Sequence, residues 1–311
     1  MIQEEIKKFV TENPRLVTMR ESASHPGLFV LKYTKRVFYD SLWNNFLEQC
    51  RGTIVDANFN VVARPFTKIY NYGVEKQAPV LALDTPLSVY RKVNGFMVAV
   101  TTYQGKMLVS TAGSTDNDYT RMAREMMATH NPLTQWQDAT EFHSSYTFMF
   151  ECVHPNDPHI VTETPGMYFL GCRENSWDSV VLGSSFFMWD QFARDVLGCH
   201  VAEHQQLTLA QLIQLSREAQ HEGFVAYTMD HQAFKIKTPY YLTSKWVARN
   251  PRTDKLMTKE FRQQIDEEYY DLLDHLRANI THYTTLSEQE RLCYVRKFLH
   301  LENPVPVCAL M

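Results

Sequence analysis

No pair of cysteines in this chain has the Cys-x-x-Cys spacing; its six cysteines are scattered at Cys50, Cys152, Cys172, Cys199, Cys293 and Cys308. A structural zinc site is therefore not expected, and the thiols read as those of a reduced, cytoplasmic protein. No apolar run approaches the length of a bilayer span, so no membrane partner is expected. The start, Met1-Ile-Gln-Glu-Glu-Ile6, has no apolar run behind a basic one, and a secretory signal is not expected either. There is no basic surplus: 31 lysines and arginines face 35 acids, for a net charge of −4. A generally basic nucleic-acid coat is excluded, and any site for a polyanion has to be a local patch. Internal repeats and low-complexity tracts are also missing. The last four residues, Cys308-Ala-Leu-Met311, match a prenylation pattern, but no polybasic stretch precedes them and the match reads as coincidence.

What the chain does have is apolar material. Hydrophobic residues make up 44% of its 311 positions and aromatics 13%, ample for a sizeable core. The length suits one large domain with a smaller appendage. Ile2, Ile6, Phe9 and Val10 have the spacing of a short amphipathic helix. From Leu28 to Tyr241 strand-like segments dominate, the clearest being 29–33, 52–56, 61–63, 97–103, 107–110, 146–153 and 224–227. Helices are predicted over 119–130, 185–197 and, behind a Thr208 N-cap, to Ala219. Beyond about residue 250, Phe261, Ile265, Tyr269, Leu272, Leu273 and Leu276 recur at helical spacing. Ser287-Glu-Gln-Glu290 is a capping box opening a last helix. A mixed body over 1–248 and a small helical unit over 249–311 are expected.

Charged residues stand in places where charge is costly. Lys92, in Lys92-Val-Asn-Gly95, follows an apolar β-type run from Leu87 to Tyr90. A lysine is protonated at neutral pH and becomes a nucleophile only when neighbouring cations and partial burial disfavour its charge. Lys235 and Lys237 alternate by two and so share one face of a strand, where they would supply that field or clamp a phosphate. A solvated edge strand explains the same pattern. Gly95 lets backbone approach a bound group, or is an ordinary turn glycine. Glu151 sits inside the apolar strand Tyr-Thr-Phe-Met-Phe-Glu-Cys-Val and needs a ribose hydroxyl, a hydrated divalent ion or a buried arginine as partner. Glu222-Gly223 stands where a helical stretch gives way to a strand, a position able to orient Mg²⁺ or merely a capped helix end. Arg51, Arg64 and Lys68 lie near strand ends and are of the type that recognises phosphate. Tyr70, two residues after Lys68 on the expected same strand face, would stack on a base or be core. Cys152, His154 and His159 lack further ligands at metal-binding spacing and read as structural.

In this order the segments resemble the phage RNA ligase 1 family of covalent nucleotidyltransferases, and less closely the adenylyltransferase domain of fungal tRNA ligases. The likeness rests on Lys92-Val-Asn-Gly95, Phe150-Glu151, Glu222-Gly223-Phe-Val, Lys235-Ile-Lys237, Cys50-Arg51-Gly52 and Ala63-Arg-Pro-Phe-Thr-Lys68-Ile-Tyr70-Asn71. It covers roughly residues 30–245. The resemblance implies an α+β fold, an ATP-grasp-like nucleotidyltransferase domain of antiparallel sheets flanked by helices, followed by a small all-helical C-terminal domain. It implies an ATP-dependent RNA ligase in which Lys92 takes AMP from ATP, passes it to a 5′-phosphorylated RNA end, and a 3′-hydroxyl then displaces it. Lys235 and Lys237 would hold the α-phosphate and assist catalysis. Arg51, Lys68, Tyr70, Gly95, Glu151 and Glu222 would bind nucleotide, with Glu151 and Glu222 also holding Mg²⁺ (Mn²⁺ being the alternative). RNA ends or broken tRNA would be the partner of a monomeric enzyme. Two departures stand out. Asn94 replaces the usual phage aspartate, as in the fungal proteins, and Ala112 stands where phage relatives carry a basic residue. A tRNA-ligase-like activity, RNA capping, DNA joining and a catalytically inactive nucleic-acid-binding descendant are the alternatives.

Overall fold

A computed structural model describes residues 2–183, 187–249 and 253–301. The Cys308–Met311 match and the start of the expected 185–197 helix lie outside the described residues. The architecture is α+β and divides into two compact units, each discontinuous in sequence: 1–68, 95–159 and 163–202 in the first, and 69–94, 160–162 and 203–311 in the second.

In the first unit, Val17–Glu21, Leu28–Tyr33, Arg51–Asp56 and Val61–Ala63 form an antiparallel meander. The predicted N-terminal helix, Ile2–Glu12, contributes Ile6 to a core with Leu31, Val55 and Trp177. A second sheet has the order Leu182–Gly183, Gly166–Glu174, Tyr146–Val153, Phe96–Tyr103, Lys106–Ser110, with His200–Val201 added in parallel to Gly166–Glu174. Phe148, Phe150 and Cys152 alternate toward a dry core completed by Met126, Met127 and Trp136 from helices Asp118–His130 and Leu133–Phe142. The period of two therefore turns Glu151 to the opposite face of its strand.

In the second unit a five-stranded sheet has the order His204–Thr208, Pro86–Lys92, Gly223–Tyr227, Ala233–Lys237, Tyr70–Asn71. Leu87, Val89, Phe224, Ala226, Phe234 and Ile236 bury one face against Leu209, Leu212 and Ile213 of the helix Leu209–Glu218. That helix is opened by the predicted Thr208 cap, whose hydroxyl accepts from the Gln211 N–H at 3.3 Å. Lys92, Lys235 and Lys237 belong to the alternate rows and so project from the other face. The C-terminal part of the unit is helical, as expected: short 3₁₀ turns lead into Tyr270–Ala278, Ile280–Thr285 and Glu288–Leu301. The Ser287 capping box is formed, with Ser287 N–H donating to Glu290 at 2.8 Å. The expected 249–311 segment lies within this unit, and its core is shared with Tyr241, Leu242 and Trp246 of the preceding helix Pro239–Arg249.

Candidate active site

Lys92 ends its strand opposite Gly223, which in turn pairs with Lys237. Three strands thus place Lys92, Gly223 and Lys237 in one row, the two lysine Cα atoms about 10 Å apart at ordinary strand spacing. Tyr90, Val225 and Lys235 form the next row on the same face. Gly223 has φ +152°, and a side chain there would collide with the Ile236 carbonyl and come within 2.8 Å of Lys237 Cα. Only glycine permits this approach of the neighbouring strand.

Lys92 is paired with an acid. Its Nζ donates to Glu222 Oε2 at 2.9 Å, and the Glu222 side chain is only 7% exposed. Beside the cations expected around Lys92, the structure therefore places a buried carboxylate in direct contact with its amine. Asn94 is buried beside it. In the amide orientation that satisfies its neighbours, its oxygen accepts from Val161 N–H at 3.0 Å and its nitrogen donates to Glu222 Oε2 at 3.2 Å.

Lys237 is paired with Glu268 and lies 5.9 Å from the centroid of the Tyr241 ring. Burial opposes its charge, but Glu268 and Glu222 outweigh that and raise its pKa. Glu268 feels the converse: burial pushes its carboxyl up, while Lys237, Lys245 and Lys235 hold it down at about 2. Asp266 pairs with Lys245, and Glu267 accepts from Asn71 Nδ2 at 2.9 Å. These three consecutive acids were not singled out in the sequence. Their partners are up to 196 residues away, and no local pattern announces them.

Tyr70 is buried and in register with Phe234, whereas Asn71 takes the register of Lys235. The strand begins at Tyr70, so Lys68 does not share it, which corrects the expected common strand face.

In the first unit Glu151 is 8% exposed, and its Oε1 accepts from the Gly95 N–H at 3.1 Å. A Cβ on Gly95 would strike the Cys152 carbonyl and lie 3.2 Å from Glu151 Cγ, so the glycine of the tetrad is required by backbone approach. Lys68 is buried, with Nζ 5.0 Å from the Trp43 ring and 5.3 Å from Phe38. Arg51 opens its strand half-buried, and its side chain makes no hydrogen bond or ion pair among the described residues. Arg64 is structural: its guanidinium donates to Gln49, the Ser176 carbonyl and Ser179, and burial, helped by Arg173, lowers its pKa to about 9. That removes it from the phosphate-binding candidates. Ala112 packs its backbone 3.0 Å from where a Gly52 Cβ would be. The adjacent Gly113 has Lys32 Nζ 2.7 Å from its own Cβ position, a basic neighbour the sequence did not reveal.

Among the described residues no three His, Cys, Asp or Glu side chains cluster as metal ligands. His154 lies 3.4 Å from Glu125, and His159 is 2.9 Å from Asp157. No helix among them is long and apolar enough to cross a membrane.

The fold is that of the nucleotidyltransferases. Solved structures with that fold include an archaeal ATP-dependent RNA ligase (TM-score 0.56, 14% identity, 95% of this chain and 77% of that one). A protein from Aquifex aeolicus named as an ATP-dependent DNA ligase is similar too (TM-score 0.55, 15% identity, 96% and 77%). Within that class, the family profile described as RNA ligase matches residues 49–241, and the chain belongs to this phage RNA ligase 1 family. It is 27% identical to an RNA ligase of Rhodothermus phage RM378 over 47% of its length. It is 22% identical, over 76%, to an Autographa californica nuclear polyhedrosis virus protein named as a bifunctional polynucleotide kinase/RNA ligase. The match spans 41% and 36% of the length of these two relatives.

Proposed function

We propose that the chain is an ATP-dependent RNA ligase that joins a 5′-phosphate to a 3′-hydroxyl through lysyl-AMP and RNA-adenylate. The observation that carries this reading is the Lys92–Gly223–Lys237 row with Glu222 on the Lys92 ammonium. In the first step the neutral Lys92 Nζ attacks the α-phosphorus of ATP; a P–N bond forms and the P–O bond to pyrophosphate breaks. Lys237 and Lys235, on the same face, offset the charge that develops on the α-phosphate oxygens. For Lys237 this requires the phosphate to take over from Glu268 as its counter-ion. Glu222 is the base closest to the Lys92 proton and orients the amine. Glu151, held by Gly95 N–H, serves the ribose or a cation.

Glu222 and, separately in the first unit, Glu151 are each a buried carboxylate of the kind that suits a divalent ion, oxygen donors being what Mg²⁺ or Mn²⁺ prefers. Bound near Glu222, such an ion would offset phosphate charge and compete with the Lys92 ammonium for that carboxylate. The second and third steps reuse the same residues: the 5′-phosphate oxygen displaces Lys92 from phosphorus, and the 3′-hydroxyl then displaces AMP.

The test is incubation with α-labelled ATP or GTP and Mg²⁺, followed by 5′-phosphorylated single-stranded RNA or nicked DNA. Wild-type protein should acquire label from ATP alone and pass it to RNA, and Lys92→Ala should acquire none. Label from GTP, joining of DNA only, or equal labelling of Lys92→Ala would overturn the assignment.

A further inference from the structure

We infer that a groove in the second unit, walled by Arg217, Tyr240, Arg296 and Lys297, binds the phosphodiester backbone of the RNA strand away from the reacting end. The groove encloses about 370 Å³ between the end of helix Leu209–Glu218, the start of helix Pro239–Arg249 and one face of Glu288–Leu301. Cys293, Arg296 and Lys297 share that face because residues three and four apart on a helix stand together, while Val295 and Leu299 point to the core.

The three cations are solvent-exposed, and among the described residues none makes a hydrogen bond or ion pair. Lys92, Lys237 and Lys245 of the same unit, by contrast, are each matched to an acid. The one acid in the wall, Glu218, is engaged by Gln214 Nε2 at 2.7 Å. Among the described residues the groove therefore carries an excess of positive charge, three cations against Glu218, in a chain whose net charge is −4. Tyr240, 39% exposed, offers a ring face on which a base can stack.

The groove also has a direction. A smaller cavity beside it is lined by Lys235, Lys237 and Glu268, and the two cavities share Arg217 and Pro239 as walls. Arg217 thus stands between Arg296 and Lys297 on one side and, on the other, the cavity of Lys235 and of Lys237 with its Glu268 partner, a spacing suited to a polyanion with charges at intervals rather than to a single anion. Arginine forks at two of three positions favour phosphate oxygens.

The inference rests on the RNA-ligase reading for the identity of the strand, and its test separates the two. Binding of a fluorescent 5′-phosphorylated single-stranded RNA to the full chain is measured against KCl concentration. The proteins compared are wild type, the triple variant Arg217→Ala/Arg296→Ala/Lys297→Ala and the single variant Lys297→Glu, with lysyl-AMP formation from labelled ATP followed in parallel. The triple variant should bind RNA at least about tenfold more weakly at low salt, and its log-log salt slope should flatten by about 2, the loss of three single-strand phosphate contacts. Lys297→Glu should change both in the same direction, and lysyl-AMP formation should be unchanged in each. Unaltered RNA affinity and slope in both variants would overturn the groove, whatever the labelling shows. Weaker binding by a protein that never labels would leave the groove standing and overturn the ligase reading instead.

Discussion

Asn94 explains itself once its neighbours are known. Its amide spans Val161 N–H and Glu222 Oε2, accepting from one and donating to the other. Only a side chain with both an acceptor and a donor can do this. An aspartate would keep the Val161 bond but set a second buried carboxylate against Glu222, tolerable only with a cation between them. Asn94→Asp should therefore cost about 1–3 kcal/mol in metal-free buffer. It should also regain more stability from added Mg²⁺ than the wild type does. Thermal melts in EDTA and in Mg²⁺ check this, and identical melts in EDTA would show that the two side chains do not touch. The sequence marked Asn94 as a loss of charge; that this charge would have been a liability depends on Glu222, 128 residues later, and could not be read locally.

The turn carrying Asp266, Glu267 and Glu268 acts on the Ala233–Lys237 strand as an internal counter-ion. Because Glu268 is held below its ordinary carboxyl range, its contribution is fully present above the unfolded-chain value of 4.5 and is lost as pH falls toward about 2. Wild type should therefore lose stability relative to Glu268→Gln across that acidic window, with the difference largest above pH 4.5. Urea midpoints at pH 2.5, 4 and 7 read it directly, and a constant difference would mean that the carboxylate is not coupled to the lysines.

Elements with one apolar face were legible: Ile2–Glu12, Asp118–His130, Tyr146–Val153 and Gly223–Tyr227 fall where the periodicity puts them. Missed were elements whose identity comes from their neighbours. The strands Val17–Glu21 and His204–Thr208 lie at sheet edges and are mostly exposed, so neither alternates. The helix Leu133–Phe142 buries only Trp136 and Thr140, too few to set a stripe. Pro239–Arg249 was hidden because its first residues prolong the Lys-Ile-Lys motif, although proline at a first helical position is a familiar opening. The motif residues fared better, since Gly95 and Gly223 are dictated by backbone approach and Glu151 by its burial in an apolar strand.

Across the molecule, the expected boundary after residue 248 can be judged by the core. Leu242 and Trp246 are about 1% exposed, buried in a cluster with Leu256, Leu272, Leu273, Leu276, Val295 and Leu299. Burying two such side chains contributes roughly 3–6 kcal/mol, a large share of a domain's ~5–15 kcal/mol. Ending the chain at Arg249 would uncover both. It would also remove the Glu268 and Asp266 carboxylates from Lys237 and Lys245. A 1–249 fragment should consequently melt at least about 8 °C lower than the full chain, or associate through the uncovered face. Thermal unfolding combined with size-exclusion chromatography distinguishes these outcomes from the alternative. A monodisperse fragment that melts with the full chain would establish 249–311 as an independent helical domain, and would leave the pairing of its acids with the lysine strand without consequence for stability.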